Sequence, residues 1–450
     1  MKVLLVGKGG REHVLAVALE ASTDVTRLYA APGNPGIGEV AELVEVADTS
    51  PSAIADMAEA LVVDLVVVGP EDPLVAGAVD ALRARGIRAF GPTASGARLE
   101  GSKAFAKAVM ARQGVPTARS WSFDDPDAAG AHIRGLGGPW VVKADGLAAG
   151  KGVTVTERRA EAEAAVRSAM VDRRFGASGA TVVIEEYLEG PELSLLVLTD
   201  GKEHIPLAPA QDHKRIGDGD EGPMTGGMGA YSPVSLAPPA LVERIMETIA
   251  EPTLDGIAKE TGEPYRGVLY CGLMVTEEGP KVVEFNCRFG DPEAQVVLPR
   301  LVADVADLLA SCADGGLAQR RITWLDRACV TVVLAAPGYP DTPRTGGVIE
   351  GVEKAGERPG VAVFHAGTAY DDMLSLVTAG GRVLDVTAMG ADVAEARTRA
   401  YDAIDDITFD GMTFRRDIAS GGMGVEHEGG AHDADHSGGA PPYRAGPHSR

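Results

Sequence analysis

The sequence predicts an α/β and α+β multidomain protein. An N-terminal doubly wound parallel-sheet domain leads, a central region of hairpins and helices follows, and a C-terminal mixed α+β domain closes the fold. Three observations point there. Apolar runs in residues 1–101 each end in a polar Gly/Pro turn. A glycine loop at 145–152 lies between two strands rather than ahead of a helix. Residues from about 323 to 420 hold several strand-like runs and then one helix. A chain of 450 residues is long enough for about two to four domains with a large core.

Lys2–Val6 (KVLLV) reads as a strand that runs into Gly7-Lys8-Gly9-Gly10-Arg11-Glu12-His13 and then a helix with apolar Val14, Leu15, Val17, Ala18 and Leu19. Strand, glycine turn and helix begin a parallel α/β unit, and a helix N-terminus behind glycines is an anion site. A dinucleotide fingerprint would place Gly or Ala where Glu12 stands, so the turn reads as a phosphate or polar-substrate site, or else as a structural turn. Further strands are predicted at Arg27–Ala31, Asp64–Val68 and Ile87–Phe90, each followed by a Gly/Pro turn. Their C-terminal ends form one rim, where ligands of open α/β sheets bind. The rim candidates are Gly9, Gly10, Arg11, Asn34 and Glu71.

The second unit starts near Ser102 with a helix carrying Lys103 and Lys107. Trp140–Lys143 and Val153–Thr156 read as strands flanking Asp145–Gly152 (DGLAAGKG). Three residues separate Gly146 from Gly150, and Gly152 follows Lys151, so this is no Walker A loop. It reads as a hairpin flap whose backbone N–H groups close over phosphates, with Lys143 pointing at the same groups. After the strand Thr181–Glu185, apolar Leu188 with acids at Glu185 and Glu192 suits adenine on one side and ribose hydroxyls on the other. Pro209–Pro233 has no periodicity and reads as a long functional loop. Leu241–Lys259 is a predicted helix, and Gly267–Val275 with Lys281–Arg288 a strand pair.

That pair delivers Val282–Gln295 (VVEFNCRFGDPEAQ). Alternation puts Glu284, Asn286 and Arg288 on one face, and Val283, Phe285, Cys287 and Phe289 on the apolar face. Same-face neighbours lie roughly 6.6 Å apart, so a hard cation fits between Glu284 and Asn286. Oxygen ligands favour Mg²⁺ or Mn²⁺ over zinc. Arg288 would hold a phosphate or carboxylate beside it. Beyond a helix from Val302, strands are predicted at Ala328–Ala335, Val348–Gly351, Val361–His365 and Arg382–Ala388, then a helix at Val393–Ile407. This third region carries no catalytic cluster of its own, and His365 reads as structural. Residues 421–450 are rich in Gly, Pro, Asp, His and Ser and read as a disordered tail.

Composition excludes several classes. Forty-two Lys and Arg against sixty-five Asp and Glu give a net charge of −23, which opposes nucleic-acid or anionic-lipid binding. No apolar run approaches the ~20 residues needed to span a bilayer, and the chain opens on a strand, so no signal segment is expected. Cys271, Cys287, Cys312 and Cys329 show no zinc spacing and read as reduced core thiols of a cytoplasmic protein.

Together these motifs resemble an ATP-grasp ligase, more closely the glycinamide ribonucleotide synthetases. The resemblance runs from Met1 to about Ser420 through GKGGREH (7–13), GPEDPL (69–74), GSKAFAK (101–107), VKADGLAAGKGV (142–153), QDHKRIGDGDEGPMTGGMGAYSP (211–233) and EFNCRFGDPE (284–293). It implies domains at 1–101, 102–322 (ATP-grasp, with a flap at about 115–190) and 323–420. It implies that ATP phosphorylates glycine and that 5-phosphoribosylamine attacks the acyl phosphate. Glu284 and Asn286 would ligate Mg²⁺ (or Mn²⁺). Lys103 and Lys143 would contact ATP phosphates under Gly150, Lys151 and Gly152. Glu185, Glu186 and Leu188 would meet adenine, and Glu192 the ribose. Asp212, Lys214 and Arg288 would lie at the glycine end, and the rim residues would hold phosphoribosylamine. A monomer is expected. Many ATP-grasp enzymes have a further carboxylate upstream of the Glu-x-Asn pair, but Tyr270-Cys271-Gly272-Leu273 has none. The competing readings are an ATP-grasp ligase for another carboxylate, a dinucleotide-dependent oxidoreductase and a non-catalytic nucleotide-binding scaffold.

Overall fold

The computed structural model describes residues 1–148 and 151–424. In the first domain, the apolar runs form a five-stranded parallel sheet in the order Glu42–Leu43, Arg27–Pro32, Lys2–Gly7, Leu65–Val68, Ala89–Phe90. The order reverses beside Lys2–Gly7. The crevice at this switch point lies between Gly7–Gly10 and Gly69–Glu71, the position that binds ligands in doubly wound sheets.

The flap is a separate four-stranded sheet, Ser120–Phe123, Val182–Glu186, Trp140–Ala144 and Val153–Thr156. Helices Pro126–Gly135 and Arg159–Met170 cover it over a small core of Ile133, Val142, Val166 and Ile184. Because side chains alternate, Val142 and Ala144 face those helices while Lys143 faces the opposite way. Tyr187–Pro191 then leads into a second antiparallel sheet, ordered His204–Pro206, Glu192–Thr199, Gly267–Thr276, Gly279–Asn286.

The 209–233 stretch, predicted as an unstructured loop, contains short strands at Gln211–Asp212, Arg215–Gly217, Glu221–Met224 and Gly229–Ser232. Gly229–Ser232 pairs with Ala328–Ala335. Two ends of this stretch therefore extend the C-terminal sheet, ordered Gln211–Asp212, Gly229–Ser232, Ala328–Ala335, Arg382–Gly390, Val361–His365. Glycines in three of these four short strands (Gly217, Gly222 and Gly229) masked the period.

Three other expectations shift. The predicted helix over 241–259 runs as Pro239–Ile245 and Glu251–Thr261, joined by a π turn at Met246–Ala250. The π turn ends two residues before Pro252, whose ring crowds the carbonyl four residues back and which has no N–H to give. The helix expected from Val302 starts at Val305, where Asp304 caps the Asp307 N–H at 3.0 Å. Val348–Gly351 makes only isolated bridges, Val348 to Val377 and Glu350 to Thr408. The four cysteines are free and buried, and no helix of the described residues is long and apolar enough to cross a membrane. Gly150 and residues 425–450, and with them most of the tail, lie outside the described residues.

Candidate functional site

The strand Gly279–Asn286 carries the centre of the site, but its alternation is not the simple one. A bulge opposite Gly272/Leu273 pairs Leu273 with Val282 and Gly272 with Glu284, leaving Val283 as the extra residue. Val282, Phe285 and Cys287 are buried, and Val283, expected beside Phe285, is not. The Val283 carbonyl instead accepts a hydrogen bond from Lys143 Nζ at 3.0 Å. Glu284 and Asn286 keep their shared face. Gly272 makes room for them, since a methyl there would stand 3.1 Å from Glu284 Cγ.

Around Glu284 the structure gathers cations from three separate stretches. Lys214 Nζ lies 3.4 Å from Glu284 Oε1 and 3.0 Å from Glu192 Oε2. Lys214, with Lys143 and Lys103, holds the Glu284 carboxyl down at about 2 against its burial. Glu284 is therefore ionised at any working pH. Lys143 also pairs with Glu185 at 3.0 Å, and Lys107 pairs with the same carboxylate at 3.2 Å. Burial, opposed by Glu185, lowers Lys107 to about 8. Lys107 stands one helical turn after Lys103 and extends this cationic face.

The flap's inner end is pinned at its base. Asp145 accepts from the Ala104 N–H at 2.6 Å and from Ser102 Oγ at 3.0 Å, and Lys103 Nζ donates to the Gly146 carbonyl at 3.1 Å. Lys151 is exposed and Gly152 buried. Glu186 is turned to Arg119, at 2.7 Å, and Leu188 sits half-buried in the linker between the two sheets. Asp212 ends the short strand Gln211–Asp212 of the C-terminal sheet and faces Lys214. Burial first, then Glu293, Glu192 and Glu284, raise its carboxyl well above the ordinary range, opposed by Lys214.

Arg288 links this cluster to the N-terminal rim. Its Nη2 lies 3.5 Å from Asn286 Oδ1 and 3.1 Å from Glu100 Oε1, and its Nε lies 3.1 Å from Glu71 Oε2. Arg11 reaches the same Glu71 at 3.8 Å and pairs with Glu12 at 2.6 Å. Against a raising effect of burial, Arg288 and Arg11 hold Glu71 down at about 2. So Arg11, Glu71, Arg288, Asn286, Glu284, Lys214, Lys143 and Lys103 form one charged surface running from the rim to the flap.

Two rim residues are engaged elsewhere. The Gly9 N–H donates to Glu12 Oε2 at 2.6 Å, the reason a Glu occupies the fingerprint position. Asn34 Nδ2 donates to the His365 carbonyl at 2.7 Å and the Lys8 carbonyl at 2.9 Å, tying its loop to the C-terminal region. Sequence reading missed Glu100, which accepts from the Cys287 N–H at 2.8 Å. Glu293, which closes the EFNCRFGDPE motif, was left without a role; it is buried against Ser194 and Tyr270 at 3.0 and 2.9 Å. Glu100 was visible in the sequence, but nothing local marked it.

Among the described residues no three His, Cys, Asp or Glu side chains cluster to hold a metal. Glu284 and Asn286 fit a hard divalent cation by chemistry: one ionised carboxylate and one amide oxygen, side by side. A cation held by so few protein oxygens takes its other ligands from a nucleotide's phosphates.

The ATP-grasp (A) domain model of phosphoribosylglycinamide synthetase covers residues 101–294, its N domain 1–100 and its C domain 329–421. The chain belongs to the phosphoribosylglycinamide synthetase family. It is 54% identical over 418 residues to a phosphoribosylamine–glycine ligase of Mesorhizobium japonicum, covering 93% of this chain and 97% of that one. It is 52% identical to the Streptomyces coelicolor ligase, covering 94% and 100%. The crystal structure of a phosphoribosylamine–glycine ligase from Thermotoga maritima superposes with a TM-score of 0.81 at 33% identity, covering 93% of this chain and all of that one. A biotin carboxylase domain from Hydrogenobacter thermophilus, at 18% identity and a TM-score of 0.68 over 92% of this chain and 91% of that one, shares the fold alone.

Proposed function

We propose that this chain is an ATP-dependent ligase that joins glycine to 5-phosphoribosylamine, giving ADP, phosphate and glycinamide ribonucleotide in purine synthesis. The continuous charged surface from Arg11 and Glu71 through Arg288 to Glu284 and Lys143 supports the reading, because it would seat an amine site and a phosphoryl-transfer site side by side.

A carboxylate resists attack by an amine, since oxide is a poor leaving group. Transfer of the ATP γ-phosphoryl to a glycine oxygen breaks the β–γ P–O bond and releases ADP. The amine nitrogen then attacks the carbonyl carbon, the C–O bond to phosphate breaks, and the amine gives up a proton. Such transfers depend on positioning and charge neutralisation rather than on a protein nucleophile. Lys103 and Lys143 neutralise phosphate oxygens from the flap side, with Lys151 and Gly152 covering them. Lys107 and Lys143 fix Glu185, which with Glu186 and Leu188 borders the adenine, while Glu192 serves the ribose and holds Lys214. Lys214 and Asp212 bracket the glycine end, and Arg288 holds the carboxylate and then the acyl phosphate. Gly9, Gly10, Arg11, Asn34 and Glu71 shape the phosphoribosylamine side. Glu284 and Asn286 would hold a Mg²⁺ (or Mn²⁺) ion, which would supply Lewis-acid neutralisation of the phosphates. The working division is 1–101, 102–322 and 323–420, with the flap at 115–190, and the working state is a cytoplasmic monomer.

The test is phosphate release from ATP with Mg²⁺, glycine and freshly generated phosphoribosylamine, each omitted in turn. Release requiring all of them is expected. Release with another carboxylate and amine, and none with this pair, would keep the ATP-grasp chemistry and discard the substrate assignment.

A further inference from the structure

Where the N-terminal helix, the Asp291 turn and the C-terminal sheet meet, a second polar network lies behind the rim. Gln295 Nε2 donates to Asp291 Oδ1 at 2.8 Å and to Asp385 Oδ2 at 2.9 Å, so both of its amide hydrogens are engaged. Arg382 pairs with Asp291 at 3.0 Å. Asp385 is 1% exposed and Gln295 fully buried, yet among the described residues Asp385 Oδ1 and Gln295 Oε1 both lack a hydrogen-bond partner. Two buried acceptors left unmet on two groups already bonded to each other are costly. One proton on Asp385 Oδ1 would remedy both: the acid O–H would donate to Gln295 Oε1 while Gln295 Nε2 donates back to Oδ2, closing an acid–amide pair.

Gly10 belongs to the same packing. A methyl on Gly10 would stand 1.8 Å from Asp385 Oδ2. The helix N-terminus read from sequence as an anion site thus already faces the chain's own carboxyl. Asp291, on the other side of Gln295, lies toward the rim; a methyl on Gly9 would be 3.5 Å from its Oδ2.

We propose that Asp385 is a positioning residue that works as a neutral acid, paired with the Gln295 amide so that Asp291 stays ionised and aimed at the amine-substrate side of the site. The assignment of that substrate rests on the function proposed above. The groups facing Asp385 are Asp291 and Arg382, with Arg11 on the packed helix acting on Asp291. Burial first, then Asp291, push the Asp385 carboxyl up to about 7, against Arg382 and the Gln295 hydrogen bond. Ionisation above that pH breaks the acid–amide pair and sets two carboxylates against each other.

Asp385→Asn reproduces the neutral pair, with an amide N–H in place of the acid O–H; Asp385→Ala removes it. In the full-length enzyme, Asp385→Asn is expected to hold kcat/KM for phosphoribosylamine within about threefold of wild type at pH 6.5 and to lack the rise in that KM above pH 7. Asp385→Ala is expected to raise that KM about tenfold or more while the KM for ATP stays within about twofold. An Asn variant as impaired as the Ala variant, or one keeping the wild-type alkaline limb, overturns the proposal. Melting of the ligand-free chain tests the protonation independently of the substrate. The folded state binds a proton that the unfolded chain releases near pH 4, so wild-type stability falls as pH rises from about 4 to 7 and then levels. The Tm of Asp385→Asn minus that of wild type should therefore grow between pH 5 and 8; a constant difference overturns the proposal even if turnover behaves as expected. Failure of the ligation assay with the melting shift present would sink the substrate assignment alone.

Discussion

Replacing Glu284 by alanine separates chemistry from stability, because the structure assigns the two very different magnitudes. The carboxylate is the one ionised oxygen on the strand face expected to hold the metal, and three lysines keep it charged. Losing a metal ligand and its neutralising geometry removes several kcal/mol of transition-state stabilisation; about 4 kcal/mol is roughly a thousandfold in rate. Folding loses far less. The Glu284 side chain is 37% exposed, and Lys214 retains Glu192 at 3.0 Å after the change. An ion pair this accessible is worth about 0–1 kcal/mol, which in a chain of this size lowers Tm by no more than about 2–4 °C. The assay is phosphate release at saturating ATP across a Mg²⁺ titration, with a melt of the same preparation. A thousandfold loss of kcat, not recovered by added Mg²⁺, with a nearly unchanged melt, is expected. Near-normal turnover would refute the metal assignment, and a collapse of the melt would refute the separation.

Other perturbations read other parts of the surface. Lys143→Ala removes the bond to the Val283 carbonyl and one of two cations on Glu185; ATP affinity should fall at least about tenfold, or 1.4 kcal/mol, and unchanged affinity by calorimetry would end its phosphate role. Gly10→Ala should destabilise by about 1–3 kcal/mol through overpacking against Asp385. In an Asp385→Ala background the same methyl keeps only its 2.8 Å approach to Gln295 Nε2 and should cost less, so additive losses in denaturant melts would place the strain elsewhere.

How far the sequence reaches depends on what kind of information each residue carries. Strand periodicity and turn chemistry located four of the five N-terminal strands, because each of those four ends in its own Gly/Pro turn; the two-residue edge strand Glu42–Leu43 has no such turn and escaped. The Glu284/Asn286 face was legible from alternation alone, but the bulge at Val283 was not: pairing register depends on the partner strand, and Gly272 lies twelve residues away with no local mark. Lys107 was visible on the helix but acquires its role only because Glu185 arrives from the flap sheet. Gly9 and Gly10 read as a phosphate cradle, yet Glu12 takes the Gly9 N–H and Asp385, from the far end of the chain, fills the space at Gly10. The strands inside 209–233 escaped for a similar reason, since their stability comes from Ala328–Ala335 rather than from their own glycine-rich sequence.

The central claim is that glycine is activated as an acyl phosphate before the amine attacks. Glycine labelled with ¹⁸O in its carboxylate, turned over with ATP, Mg²⁺ and phosphoribosylamine, tests it by mass analysis of the released phosphate. One labelled oxygen in each phosphate, with glycinamide ribonucleotide as co-product, is the predicted result. Unlabelled phosphate alongside the amide product would contradict the account.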